Sequence, residues 1–211
     1  NVIINNNTSI GDNVIIKGNS VIDSDCIVKS NTCINYNVTI NRNVVIGDNC
    51  FIDSGTTVGS EGFGTYKHEG KHLNIPHIGK VIIEDDVLIG SNCSIDRGTI
   101  NNTIISEFTK LDNLIQIGHN VKIGKNCLIA SQVGIAGSTT VGDNVTIAGQ
   151  TGIIDHLNIG NNTTIAVKSC VYKSLPEKSF VSGIPAINHL DKLKQDAILK
   201  RLPLIYKNIK K

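Results

Sequence analysis

Branched aliphatic residues recur at every sixth position along most of this chain. They run from Ile4, Ile10 and Ile16 to Val58, resume at Ile83, Ile89 and Ile95, and continue from Ile105 to Val171. Neither a helical nor an alternating period accommodates that spacing. It fits a coil of three short strands in which each hexad sends one side chain to the axis. Residues 18 apart in the sequence then stack at about the 4.8 Å spacing of parallel strands. Gly or Asn at the corners supplies backbone angles that other residues resist. Gly or Asp follows many of the axial aliphatics, and a small or branched residue stands four places after most of them, as at Val14, Cys26, Val38 and Thr139. The pattern predicts an all-β, left-handed parallel β-helix of hexapeptide repeats, with roughly eight coils.

The register is interrupted between Val58 and Ile83 and shifts by four residues across 97–102. Residues 59–80 read as a loop insertion too long for a corner. They hold half of the six histidines, His68, His72 and His77, and the solvated-loop reading outweighs a metal cluster because no Cys or second spaced acid joins them. After Val171, Ser182-Gly183-Ile184-Pro185-Ala186 ends the coils. Leu190, Leu193, Ala197, Leu202 and Ile205 then recur at helical spacing, with Pro203 expected to separate two short helices. The division is therefore a β-helix domain over 1–187, with 59–80 as an insertion, and a short α-helical extension over 188–211. That extension has nothing to bury its apolar side against within one chain, and a bundle in a trimer would supply a partner.

Composition agrees with a core of small branched side chains: aromatics are 4% and Met and Trp are absent. Cys26, Cys50, Cys93 and Cys127 each fall four places after an axial aliphatic and are expected to be inert core thiols, with Cys33 and Cys170 one place later. No spacing typical of a zinc site joins any of the six. No apolar run reaches the roughly 20 residues of a membrane span, and no leader opens the chain, so a cytoplasmic protein is expected. The chain opens on Asn1 rather than Met and is read as a processed or partial sequence. Net charge is +2, but residues 189–211 carry +5 and the remainder −3. A short basic tail suits an acidic protein partner better than nucleic acid, which calls for a broader basic face with stacking rings.

Only His119 and His156 lie in the coils away from both irregular segments. His119 follows the axial Ile117 by two, on the expected outward side of a strand. Gly137 stands 18 residues further on and should stack over it. A glycine there lets a ligand reach the backbone N–H, and an imidazole beside a free backbone donor is minimal equipment for acyl transfer. His156 should flank the same groove. A surface imidazole without chemistry satisfies the position equally well, and Asp112, Gln116 and Asn120 are also ordinary corner residues. A zinc site between trimer subunits of the γ-carbonic anhydrase kind would want a histidine five residues after His119, where this chain has Gly124.

The runs Gly62-Phe63-Gly64, Ile95-Asp96-Arg97-Gly98, Asp112-Asn113-Leu114-Ile115-Gln116-Ile117-Gly118-His119-Asn120-Val121 and Ser182-Gly183-Ile184-Pro185 resemble the UDP-3-O-acylglucosamine N-acyltransferases of lipid A biosynthesis. The resemblance implies transfer of a 3-hydroxyacyl group from acyl carrier protein to the 2-amino group of a UDP-linked glucosamine, with no cofactor beyond the donor thioester. It implies His119 as general base, Gly137 as oxyanion donor, and Asp112, Gln116, Asn120 and His156 as substrate-binding residues. Lys168, Cys170 and Tyr172 would face the acyl chain, where the family tends to place flexible apolar residues. It also implies a homotrimer with sites between subunits, a carrier-protein role for the basic tail, and an N-terminal uridine-binding domain that these residues do not include. Glu61 stands where the family more often has Asp. Two alternatives stay open: an amino-sugar N-acyltransferase using a short acyl-CoA such as acetyl-CoA, and a non-catalytic β-helix scaffold.

Overall fold

A computed structural model describes residues 1–209, so Lys210 and Lys211 of the basic tail lie outside the described residues. Strands of two to four residues, joined by tight turns, wind into three parallel sheets that form the faces of a left-handed β-helix. One face holds nine strands and another eight, while the third holds ten, its last strand added antiparallel. The stack is deeper than the roughly eight coils expected from the repeat. Register follows the hexads: Ile117 pairs with Ile135, and Ile135 with Ile153. Across the interruption at 97–102 the pairing becomes Ile95 with Ile117.

The corners show why the sequence is so rich in Asn. Asn7, Asn13, Asn19, Asn31, Asn37, Asn43 and Asn49 all take φ between 56° and 64°. Asn and Asp tolerate this left-handed conformation better than other residues with a Cβ, because their short polar side chains bond locally. Few glycines carry that duty; Gly55, at φ 77°, is one.

The axial residues Ile22, Ile34, Ile40, Ile52, Ile95, Ile117 and Ile147 are fully buried. Each contributes roughly 1.5–3 kcal/mol of transfer free energy. The second inward position is taken mostly by Val, Cys or Thr, and Thr109 shows how a threonine is satisfied there. Thr109 Oγ1 donates to Gly124 O at 2.8 Å and accepts from Cys127 N at 3.0 Å, so its hydroxyl stitches successive coils together. Cys26, Cys50, Cys93 and Cys127 are buried at this position, with Cys33 and Cys170 half-buried. Burial pushes the Cys50 thiol up to about 11 and raises the thiols of Cys26, Cys93 and Cys127 as well.

Two irregular regions differ from expectation. Residues 59–80 are not solvated throughout: Thr65–His68 pairs antiparallel with Lys71–Asn74 as an exposed hairpin, and the chain then dives back so that His77 is 1% exposed. The extension is one helix, His189–Ile209, with Pro203 inside it, rather than two. Proline removes a single backbone donor, and an exposed helix continues past it with a bend. The helix begins against the last coil, where the His189 ring stacks on Phe180 at 4.2 Å, and Leu190, Leu193, Leu199 and Leu202 stay exposed.

Candidate active site

His119 lies in the turn that follows the strand Gln116–Ile117, not on the strand itself. A strand of two residues is used up at the axial Ile117, so the second residue beyond it already belongs to the corner. The turn closes through Asn120, at φ 61°, which puts the Asn120 amide directly behind the imidazole. Asn120 Nδ2 donates to Asn101 O at 3.1 Å, and its Oδ1 accepts from Thr99 N at 3.0 Å and Thr99 Oγ1 at 3.0 Å. That orientation leaves an acceptor facing His119 Nδ1, at 3.0 Å. An amide oxygen cannot donate, so Nδ1 carries the imidazole proton and Nε2 presents its lone pair.

Gly137 lies against that lone pair. A Cβ at Gly137 would stand 2.7 Å from His119 Nε2, so only glycine leaves room for the ring. At the next corner of the same coil, Lys125 N donates to Asp143 Oδ1 at 2.8 Å and Asp143 N to Asn161 Oδ1 at 2.8 Å, a side-chain ladder between coils. Glycine interrupts this ladder at the His119 corner. Among the described residues, the N–H groups of His119 and Gly137 donate to no acceptor. The corner therefore offers an unprotonated nitrogen and free backbone donors side by side, at the edge of a cavity of about 600 Å³.

Asp96 and His77 belong to this cavity region although the sequence assigned neither of them a role in the site. Asp96, 9% exposed, lines the cavity; its carboxylate accepts from Ser60 Oγ at 2.9 Å and Gln116 Nε2 at 3.1 Å. Burial raises it above the ordinary carboxylate range, against those two hydrogen bonds. Its neighbour Arg97 is buried for a structural reason: Nε donates to Gly59 O and Nη2 to Arg42 O, both at 2.8 Å, pinning the start of the insertion. The second member is His77, whose ring meets His119 edge-to-face with centroids 5.2 Å apart. The solvated-loop reading fails for this histidine, while His68 and His72 are exposed on the hairpin. The only signal for Asp96 was its place in the Asp-Arg-Gly run, and none pointed to His77.

Gln116 and His156 both line the cavity, and His156 N donates to Gly137 O at 3.1 Å. Asn120 acts from behind His119 and faces a second groove with Thr99 and Lys122. Asp112 is elsewhere, in a shallow groove with Lys110, Leu128 and Thr146. One hexad carries the chain from one corner of the coil to the next, so a residue seven places before His119 belongs to the neighbouring corner.

Comparison with known proteins bears on this geometry. Residues 102–137 match the family model of the bacterial transferase hexapeptide (six repeats), and 37–61 and 80–100 match the hexapeptide repeat of succinyl-transferase. The UDP-3-O-acylglucosamine N-acyltransferase 1 of Gloeobacter violaceus is 52% identical over 159 residues, covering 75% of this chain and 46% of that protein. The UDP-3-O-acylglucosamine N-acyltransferase of Cytophaga hutchinsonii is 53% identical over 154 residues, covering 72% of this chain and 44% of that protein. The chain is a homologue of the UDP-3-O-acylglucosamine N-acyltransferases. It spans about half the length of these N-acyltransferases and matches their C-terminal part. Among solved structures, UDP-N-acetylglucosamine O-acyltransferase from Moraxella catarrhalis superposes with a TM-score of 0.81 at 25% identity, covering 89% of this chain and 72% of that one. A second UDP-N-acetylglucosamine acyltransferase gives 0.78 at 27% identity, covering 96% and 78%.

The residues that the N-acyltransferase resemblance assigns to the acyl chain lie further along the same face. Gln116, Gly134, Gly152 and Cys170 are consecutive register partners, so Cys170 is three coils, roughly 14 Å, from Gln116. Neither Lys168, Cys170 nor Tyr172 lines the His119 cavity. The strip between is floored by two glycines, and exposed Ile154 and Tyr172 stand beside it.

Proposed function

We propose that this chain is the acyl-transfer portion of an N-acyltransferase that moves a 3-hydroxyacyl group from acyl carrier protein to the 2-amino group of UDP-3-O-acylglucosamine. The observation that carries the reading is the His119 corner, where Asn120 holds Nδ1–H and the bare Nε2 faces Gly137. The identity to the N-acyltransferases supports the acceptor and the pathway.

The chemistry follows from that tautomer. An ammonium has no lone pair, so the acceptor must first lose a proton to solvent as a free amine. Its nitrogen attacks the thioester carbonyl while His119 Nε2 takes one of its remaining protons. The new C–N bond creates an oxyanion, for which the unengaged Gly137 N–H, beside Nε2, is the backbone donor. Collapse of that intermediate breaks the C–S bond, and the His119 imidazolium returns its proton to the departing thiolate. Asn120 accepts from Nδ1–H throughout, which stabilises the charged ring. Gln116 and His156 bind the sugar, and the glycine-floored strip toward Cys170 and Tyr172 takes the apolar chain. Because the cavity is open on an outer corner, a second and third copy of the chain would close it, and the exposed leucines of the helix would pair in the same homotrimer. The acyl carrier protein, being acidic, would dock by the basic helix in the cytoplasm.

The test is turnover of the full-length protein that contains this chain, with a 3-hydroxyacyl carrier protein or acetyl-CoA as donor and a UDP-amino sugar as acceptor. His119→Ala is expected to lower kcat by about 10³-fold or more, as loss of a general base does. Wild-type rates in that variant would remove His119 from the mechanism. Preference for acetyl-CoA would favour the short-chain alternative.

A further inference from the structure

His77 has no part in the steps above, yet its environment is costly to build. Its side chain is wholly buried. Its Nδ1 lies 2.8 Å from Ile75 O, which can only accept, so the proton is on Nδ1 and Nε2 is bare. That Nε2 is buried without a hydrogen-bond partner among the described residues. Orphaned buried polar atoms are costly and rare in folded proteins. The surrounding chain is shaped to keep this one: a Cβ at Gly62 would stand 2.7 Å from His77 Nε2, and one at Gly64 would stand 2.9 Å from His77 Cε1. The hypothetical Gly62 Cβ would also stand 2.7 Å from His119 Cβ, so the Nε2 end of His77 and the base of the His119 side chain meet over Gly62.

Building on the acyltransferase reading, we propose that His77 is a positioning residue for His119: it braces the ring by the edge-to-face contact and offers its bare Nε2 lone pair to the imidazolium that forms there. A proton on His77 Nε2 would be a buried N–H without an acceptor, so the ring presents the negative end of its dipole rather than a competing charge. A fixed dipole aimed at a developing charge needs no reorganisation when the proton moves. The charged groups around the pair come from three segments. Glu61, on the chain leaving the strand Thr57–Ser60, accepts from His77 N at 3.1 Å and lies 3.4 Å from His77 Nδ1. Asp96, at the end of the strand Ser94–Asp96, lines the cavity with His119. Asp155 and His156, from a later coil, line the same cavity as His119.

His77→Phe keeps a ring of similar shape and deletes both nitrogens. NMR of the imidazole resonances in the full-length protein reads the result without any turnover. The protonation curve of His119 is expected to move to lower pH by about half a unit in His77→Phe, since the cation loses a stabilising dipole. The acidic limb of the kcat profile should move the same way, with kcat down about tenfold and KM within about twofold. An unmoved His119 curve in a folded His77→Phe protein overturns the proposal. The wild-type spectrum is a second test that no folding failure can obscure: ¹⁵N shifts should show His77 protonated at Nδ1 and bare at Nε2, and a proton at Nε2 overturns the proposal. If the His119 curve moves as expected while the wild type acylates no UDP-amino sugar, the positioning of His119 stands and the substrate assignment falls.

Discussion

Gly137→Ala isolates the contact on which the site depends. Gly137 does not sit in the left-handed region, so alanine suits its backbone and the strain falls on the His119 ring. The added Cβ would stand 2.7 Å from Nε2, 2.8 Å from Cε1 and 3.1 Å from Cδ2. Ordinary van der Waals contact begins near 3.4 Å, so the ring would have to retreat by roughly 0.7 Å. It has little room, because Gly62 packs on its Cβ and His77 stands at its edge. Misplacement by about an ångström typically costs about 10²-fold in rate, or roughly 2.7 kcal/mol of barrier. Stability should change by no more than about 1 kcal/mol, since no fully buried packing is lost and alanine lowers the entropy of the unfolded chain. Initial rates with a 3-hydroxyacyl carrier protein, beside thermal melts, measure both quantities. Gly18→Ala is the control: it occupies the same hexad position two residues after an axial Ile, and its Cβ would meet only Tyr36 Cδ1, at 3.9 Å. Its rate should stay within about twofold of wild type. A Gly137→Ala protein with near-native rate and unchanged melting would refute the reasoning, because the ring would then not work in the position seen.

Other consequences can be checked as directly. Asn120→Ala removes the acceptor of His119 Nδ1–H and of Thr99 N–H, and should lower kcat about 10–100-fold, whereas Asn120→Asp keeps an acceptor and should recover most of the rate; steady-state kinetics of the two separates tautomer control from packing. Asp96 has its carboxyl raised by burial, so the folded protein holds that proton to higher pH than the unfolded chain does. Its contribution to stability is therefore present below the ordinary Asp range and lost as pH rises through the raised value. Melts across pH 3–8 should show Asp96→Asn gaining on wild type as pH rises through that window, and parallel curves would contradict the assignment. Native protein should yield thiol-labelling only at half-buried Cys33 and Cys170, with Cys26, Cys50, Cys93 and Cys127 reacting after unfolding, as mass spectrometry of alkylated peptides would show.

The hexad spacing alone determined the architecture, the axial core and the burial of four cysteines, because a β-helix repeats one local rule and each side chain's direction follows from its place in the hexad. The same arithmetic was enough to bring Gly137 onto His119, since no irregular residue intervenes between them. Tertiary structure decided everything that reaches the site through the irregular segments. His77 arrives from 42 residues upstream, by a chain path that follows no repeat, and was read as solvated for that reason. Asp96 precedes the four-residue shift and enters the cavity through hydrogen bonds to Ser60 and Gln116 that no spacing predicts. Asp112 is the opposite case: close in sequence to His119, it occupies another corner of the same chain because one hexad turns the chain onto a new face. Periodicity is a local code, and sequence reasoning held wherever local rules set position. Only the folded chain could show which residues from outside the repeat surround the histidine, and in what tautomer they hold it.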